Sequence, residues 1–585
     1  MDEKGENVEK QRLLTSTLGL ISCFLILLPA VFAWLYVRAF GVSVVFFDAW
    51  SMVRLFDRWS SGTLSLSHLF AQHNEHRMFF PKGIELFLGG ITNYDNVAEM
   101  YLVLACFVVT LIILLLAFRG SIRARLFLFV PISFLIFSFR QHENMLWGFQ
   151  ISAAFAQMFG VLTFFLLYVF GRKRFKKLAF LAALGSGTVA SFSFLQGLFV
   201  WPAGLLQLFI SPVEKKAKKV AIGVWSLVGL GEWVVYFVGY AKPRDTPSFL
   251  YVLDHPLVGI GYLLTSLGGS LFWQQSSAFA GGLLLACLAL VSLLLIYKKG
   301  KLGEYSFWLS LLLYSFLILA AITIGRSGGF GAEQALVSRY ASFSILAAVS
   351  IYAMLVKLAF EERSRPNTVL LVVLAAILLP NVAISYSKGT EVGSTAKILR
   401  EKAAFTLYTY ESQPDEALTE SLNPRPRLVR ERAPVLQRLG YNVFSERQAP
   451  GTLPPLSNLS PVTSPTPSTI AVAGPGLSQQ DGSIIVPEEG PFIKVGGFAL
   501  DANNRSTAGG VYVDIDGKLF PAFYGTDRQD VADSLGVPSY RYSGFERAIP
   551  VSEIATGTHE LSIVVLTADR KGYYQPNQKV GLEVR

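Results

Sequence analysis

From residue 13 to residue 387 the chain is a succession of apolar runs separated by short polar loops. A helix needs about 20 apolar residues to cross ~30 Å of hydrocarbon. Runs near that length fall at 13–38, 97–118, 123–139, 148–170, 178–195, 197–211, 220–240, 279–297, 305–325, 340–360 and 367–387. In lipid every backbone N–H and C=O must be satisfied within the protein, so runs of this kind fold as a helical bundle. The pattern excludes a soluble enzyme, and the composition agrees, with 52% hydrophobic and 16% charged residues. The net charge of +10 is no sign of a nucleic-acid partner. The cations cluster at Arg119–Arg125, Arg172–Lys177, Lys215–Lys219, Lys298–Lys301 and Arg363–Arg365, between spans, as the positive-inside rule expects.

That rule also orients the chain. With a cytoplasmic N-terminus and about eleven spans, every basic run is cytoplasmic. The loops 46–96, 140–147, 241–278 and 325–339 then lie outside. The Gly-rich stretch Pro256–Trp273 reads as re-entrant or interfacial, because a further span there would turn the later basic loops outward. The first run has no small-residue cleavage site and reads as an uncleaved span. Cys23, Cys106 and Cys287 each lie in an apolar run, which leaves no disulfide framework and no cysteine metal motif. These features point to a multi-pass protein of the bacterial cytoplasmic (inner) membrane.

Beyond the transmembrane domain, residues 1–387, the character changes. Residues 388–448 read as an extracytoplasmic helical segment, with amphipathic helices at 396–409 and 427–439. Residues 449–470 hold six prolines among Ser and Thr and read as an extended linker. Residues 471–585 alternate in short segments such as Phe492–Leu500, Val511–Ile515, Leu519–Tyr524, Phe545–Ile549 and Glu560–Leu566, with Asp516-Gly517 as a hairpin turn. This predicts a small antiparallel β-sandwich, placed outside the cytoplasm by an odd number of spans. Its tyrosines 524, 540, 542, 573 and 574 suit either a sandwich core or a sugar-stacking face.

The chemistry-bearing residues gather in the outer loops. The first loop carries Asp48-Ala49-Trp50 and His73-Asn74-Glu75-His76-Arg77. Asp48 follows the first span closely and can act as general base on an acceptor hydroxyl, or cap the helix starting near Trp50. If helical, His73, His76 and Arg77 share a face suited to phosphate oxygens, while Glu75 and His76 are further acid–base candidates. Arg140-Gln141-His142-Glu143-Asn144, followed by Trp147-Gly148-Phe149-Gln150, sets polar groups at membrane depth, where they need a wet cavity or internal partners. Arg140, His142, Glu143, Asn144 and Gln150 are candidate substrate ligands there. A third cluster runs from Gly325-Arg326 through Glu333-Gln334 to Ser338-Arg339-Tyr340. Arg339 opens an inward-going span on the outer side, against the positive-inside trend, which suggests a task with an anion, as for Arg326. Arg244-Asp245 reads as a solvated loop. The histidines and acids match no zinc spacing, which leaves a divalent cation such as Mg or Mn open as a cofactor without assigning one.

About eleven spans, an acid in a long first outer loop and arginines on later outer loops resemble the GT-C superfamily of integral-membrane glycosyltransferases. Within it, the Asp48-Ala49-Trp50, His73–Arg77, Gln141–Asn144, Trp147–Gln150 and Ser338–Tyr340 motifs are similar to a bacterial branch. The resemblance covers residues 13–445. It implies a polyprenyl-phosphate sugar donor, a glycan, lipid or protein acceptor outside the cytoplasm, Asp48 as catalytic base and the arginines as ligands of the lipid phosphate. Many such enzymes have two adjacent acids in the first loop, whereas here Ala49 follows Asp48. The competing readings are a non-catalytic scaffold and a lipid-linked saccharide transporter. A transporter predicts mid-span charges and an inverted repeat, and the sequence shows neither.

Overall fold

A computed structural model describes residues 3–122, 126–172, 176–243, 248–329, 331–361, 365–446 and 453–585. The chain is mostly helical, with a β-sheet domain at its C-terminal end. It divides into two compact units. The first comprises Met1–Gly41, Arg58–Thr92 and Asn96–Ser394. The second comprises Val42–Asp57, Asn93–Asp95 and Thr395–Arg585.

The first unit is the helical membrane part. Among the described residues, eight helices are long and apolar enough to cross a membrane, not eleven. The run at 123–139 becomes a 3-10 turn, Leu126–Phe129, and the 7-residue helix Val130–Ile136 with Pro131 in its first turn. At 1.5 Å per residue that helix is about 10 Å long. The run at 178–195 forms Lys176–Ser191, 16 residues, and the run at 197–211 falls on Leu195–Ile210, with Ser211 as its extended C-cap. Pro256–Gly268 is also short, at 13 residues. An even count of long spans removes the parity argument that placed the β-domain outside, since the short helices now decide the side.

Ser338–Glu361 is the central span, with 94% of its apolar window buried against 22% for Thr17–Phe40. It packs along Ser306–Arg326, while Pro256–Gly268 packs along Gln275–Lys298. Gly268 and Gly282 let that second pair approach closely. A methyl group on Gly268 would run into the Ala278 carbonyl, and one on Gly282 into the Leu264 carbonyl, which is the small-residue packing of membrane helices.

Arg365–Tyr408 is one 44-residue helix, so the helix expected at 396–409 is the end of a longer one. In the second unit, the helix Pro426–Leu439 ends at Gly440 in the left-handed conformation. The β-domain strands pair in the order Ser468–Ala473, Phe492–Asp501, Gly544–Pro550, Lys518–Thr526, Gly510–Ile515, Gly557–Leu566, Val580–Val584, Ser483–Val486, Ser478–Gln480. Strands from distant parts of this path share one core, including Val495, Phe545, Val513 and Ile563. The sheet therefore folds over itself as a sandwich does, and it bends at the irregularity between Tyr524 and Thr526. Asp516 and Gly517 form the two-residue hairpin turn, both at positive φ. The pairing is not wholly antiparallel, because Val580–Val584 lies parallel to Ser483–Val486. Of the tyrosines, Tyr574 is buried on Asp501 at 2.6 Å and the Tyr524 hydroxyl donates to the Ala499 carbonyl, while Tyr542 is exposed.

Candidate active site

The candidate residues fall in both units. Asp48 belongs to the second, inside the 3-10 turn Phe47–Ala49 and not at a helix N-cap. Phe47 takes φ 46° to make that turn. Its N–H donates to the Leu422 carbonyl at 2.7 Å and its carbonyl accepts from Asn423 Nδ2 at 3.1 Å. The Arg400 guanidinium lies 3.2 Å from the Phe46 ring centre, and Arg432 donates to the Trp50 carbonyl at 2.5 Å. The half-buried Asp48 thus sits on a segment held by residues far along the chain.

The other candidates lie in the first unit. The expected helical face of His73, His76 and Arg77 does not form. The backbones of His73 and His76 pair instead, each N–H donating to the other carbonyl at 2.8 Å. Asn74 turns the chain at φ 48°, a conformation Asn tolerates. Glu75 stands at the tip of this turn. Its Oε1 accepts from Arg326 Nη2 at 2.6 Å, and its Oε2 lies 3.9 Å from His76 Nε2. His76 Nδ1 accepts the Leu195 N–H at 3.3 Å, so the neutral ring carries its proton on Nε2, facing Glu75. The ring stacks on Phe194 at 3.8 Å. The His73 ring meets Phe149 edge-on.

A second pair forms nearby in the same unit. Glu143 Oε2 accepts from Ser338 Oγ at 2.6 Å and lies 3.9 Å from Arg339 Nε. Asn144 Nδ2 donates to the Arg339 carbonyl at 3.2 Å, and the Arg339 guanidinium lies over Trp147. Tyr340 is within electrostatic reach of Arg326, Arg339, Glu75 and Glu143 together, so the two Arg–Glu pairs border one region. Tyr262, from the short helix Pro256–Gly268, lies within electrostatic range of Arg326 and Tyr340. It is 3% exposed, and its hydroxyl has no hydrogen-bond partner among the described residues.

Two arginines expected to meet phosphate are engaged otherwise. Arg77 Nε and Nη2 donate to the Tyr236 and Val238 carbonyls at 2.6 and 2.5 Å, and Nη1 donates to the Phe70 carbonyl at 3.1 Å. It closes the end of the helix Lys215–Phe237, where carbonyls lack intrahelical partners. Arg140 donates to the Phe272 and Leu336 carbonyls at 3.1 and 2.5 Å with its guanidinium over Trp273. Burial lowers the Arg140 pKa to about 10, which leaves it charged at neutral pH. His142 stacks on Trp273, and burial lowers its pKa to about 4, so it is neutral there and no acid near pH 7. Gln150 is buried, Gln334 is half-buried with a side-chain oxygen that finds no hydrogen-bond partner among the described residues, and Glu333 is exposed. Arg244-Asp245 lies outside the described residues.

The sequence reading missed Tyr262 and a buried charged group, and quoted Tyr340 without giving it a role. Glu85 is fully buried on the helix Phe79–Thr92, with neither carboxyl oxygen hydrogen-bonded among the described residues. Lys82, one turn earlier, donates to the Ala71 carbonyl at 2.6 Å, and burial lowers its pKa to about 8. Glu99 lies within electrostatic range of Glu85. Ionisable residues inside apolar stretches were the available signal. Among the described residues no three His, Cys, Asp or Glu side chains gather as metal ligands. Arg326 and Ser338 already occupy Glu75 and Glu143, so these acids do not make a ready cation site.

No protein-family model matches the chain. An uncharacterized protein of Archaeoglobus fulgidus is 24% identical over 209 residues, 33% of this chain and 52% of the relative. The chain thus spans about half the length of the curated relative it matches. Among solved structures, it is similar to the Archaeoglobus fulgidus oligosaccharyltransferase complexed with zinc and sulfate, at TM-score 0.34 and 14% identity over 63% of this chain and 53% of that one. It is also similar to ArnT from Cupriavidus metallidurans bound to undecaprenyl phosphate, at TM-score 0.35 and 12% identity over 77% and 93%. At these scores the likeness decides nothing about chemistry.

Proposed function

We propose that this multi-pass protein is a GT-C-type glycosyltransferase, moving a hexose or pentose from a polyprenyl-phosphate donor to an extracytoplasmic glycan, lipid or protein in the cell envelope. The observation that carries the reading is the pair of Arg–Glu contacts, Arg326–Glu75 and Arg339–Glu143, bordering Tyr340 at the ends of spans. Two guanidiniums beside a bilayer suit an oxyanion held at the lipid surface. Their acid partners keep them neutralised and in place until that anion arrives. Tyr262 and Tyr340 supply hydroxyls next to the same charges.

The donor already carries its leaving group. The protein must orient an acceptor hydroxyl, take its proton and stabilise the departing phosphate. Asp48 is the proposed base. Glu75 is a poorer one, because Arg326 Nη2 already occupies its Oε1 at 2.6 Å. Arg326 and Arg339 are the proposed phosphate ligands, while Arg77 and Arg140 hold loops through carbonyls. Direct displacement with one base inverts the anomeric centre. Placement in the bacterial inner membrane belongs to the same proposal, and the basic loops support a first loop that faces outward.

The test is transfer of labelled sugar from a panel of polyprenyl-phosphate sugars by purified protein in lipid. Wild-type transfer should be lost in Asp48→Asn. Arg326→Ala should weaken undecaprenyl-phosphate binding about 10- to 150-fold, the loss of one charge-assisted hydrogen bond. Transfer that survives Asp48→Asn but fails in Glu75→Gln would move the base to Glu75. A product with the donor's anomeric configuration would sink single displacement, and no donor binding at all would favour the scaffold.

A further inference from the structure

We infer that the membrane unit seats one acyl chain of an anionic glycerophospholipid in a groove between its helices, with the headgroup on the basic side chains at one end. This goes beyond the proposed transfer, and only the exclusion of the polyprenyl donor rests on that reading. The groove measures about 670 Å³. Its wall is almost wholly hydrocarbon, with Leu267, Ala286, Ala289, Leu309, Phe316 and Ile351 from four helices. Along one wall it runs from Leu302 to Phe316, about 21 Å at helical rise. That exceeds the ~15 Å depth of one leaflet, so a lipid chain from one leaflet fits along it.

The charge at one end identifies the occupant. Tyr297 and Leu302 both line the groove, and between them stand Lys298, Lys299, Gly300 and Lys301. Ile210 lines the same end, where Lys218 Nζ donates to the Phe209 carbonyl at 3.0 Å. Arg172 donates to the Gly303 carbonyl at 3.3 Å. Five cations therefore surround this mouth. Glu304 and Glu361, the acids beside it, lie 3.7 and 3.8 Å from the buried Lys357. Glu214 is exposed just ahead of Lys215. Tyr297 is 68% exposed, an aromatic ring at the level where headgroups begin. A polyprenyl-phosphate donor fits less well. Its phosphate is assigned to Arg326, ten residues beyond Phe316 on the same helix and so about 15 Å past the other end of the groove. Its tail carries no charge to meet five cations.

The experiment is native mass spectrometry of the full chain in detergent, titrated with dioleoyl phosphatidylglycerol and dioleoyl phosphatidylcholine. The wild type should bind phosphatidylglycerol about tenfold or more tightly than phosphatidylcholine. The combined variant Lys298→Gln, Lys299→Gln and Lys301→Gln should lose that preference and keep phosphatidylcholine binding. Ala289→Phe, which fills the groove, should weaken both lipids, with Ala286→Phe serving the same purpose if the first does not fold. Equal binding of the two lipids by the wild type overturns the inference. So does phosphatidylglycerol binding that ignores both phenylalanine variants, which places the lipid elsewhere. Displacement of phosphatidylglycerol by undecaprenyl phosphate, mole for mole, would give the groove to the donor.

Discussion

Replacing Glu85 with Gln should stabilise the protein, and increasingly so as pH rises from about 4.5. Glu85 is fully buried, and its oxygens find no hydrogen-bond partner among the described residues. Burial first, and Glu99 second, raise its pKa well above the ordinary glutamate value, with Lys82 offsetting part of the effect. An unfolded chain releases this proton near pH 4.3, while the folded chain keeps it. The contribution of the group is therefore complete below that pH and declines as pH climbs towards the folded-state value. The slope is about 1.4 kcal/mol per pH unit for one proton. The amide has nearly the same shape and does not ionise in this range, so subtracting the two stabilities isolates this group from the other titrations. Unfolding of both proteins should be followed in one detergent at half-unit steps from pH 4.5 to 6.5. The advantage of Glu85→Gln should widen at about that slope. A constant gap, or a wild type that gains on the variant as pH rises, would refute the reasoning and mean that Glu85 is solvated or paired as a carboxylate.

Two further substitutions test packing. Gly148→Ala would drive its methyl into the Glu99 side chain and the Asn96 carbonyl, and should cost about 1–3 kcal/mol, read as a lower unfolding midpoint with Glu99→Ala as the compensating second change. Arg547→Met removes a buried guanidinium that donates to Thr409 Oγ1 at 3.1 Å and to the Ser412 carbonyl and hydroxyl at 2.9 and 2.6 Å. It should cost about 1–3 kcal/mol and raise hydrogen exchange at 409–413; unchanged exchange there would show that these bonds do not hold the segment.

The helical membrane part and the β-domain were both legible, because apolar run length and strand alternation are local signals. The span count was not. The runs at 123–139 and 178–195 are apolar enough, but Pro131 and the polar residues after Ala190 shorten their helices, and hydropathy averages over such breaks. At the site, Glu75, Glu143, Arg326 and Arg339 were visible as charges near span ends. Their pairing was not, since Glu75 meets Arg326 across 251 residues. The helical reading of His73–Arg77 failed because a left-handed Asn74 lets two backbones pair across a two-residue turn, which periodicity does not report. Arg77 and Arg140 look alike in sequence to Arg326 and Arg339. Only the partners separate an arginine that binds carbonyls from one that faces an acid.

That separation bears on how variation at these positions should be read. A cell's quality control responds to an unclosed helix end long before any substrate is present. Loss of Arg77 or Arg140 would thus register as reduced abundance in the membrane. Loss of Arg326 or Arg339 would leave abundance closer to normal and register as lost output. A survey of all substitutions scored only by growth would merge the four into one class of sensitive arginines, and would draw an anion site twice the size proposed. Scored for protein level alongside growth, the same survey should divide them into two that hold the scaffold and two proposed to meet its ligand.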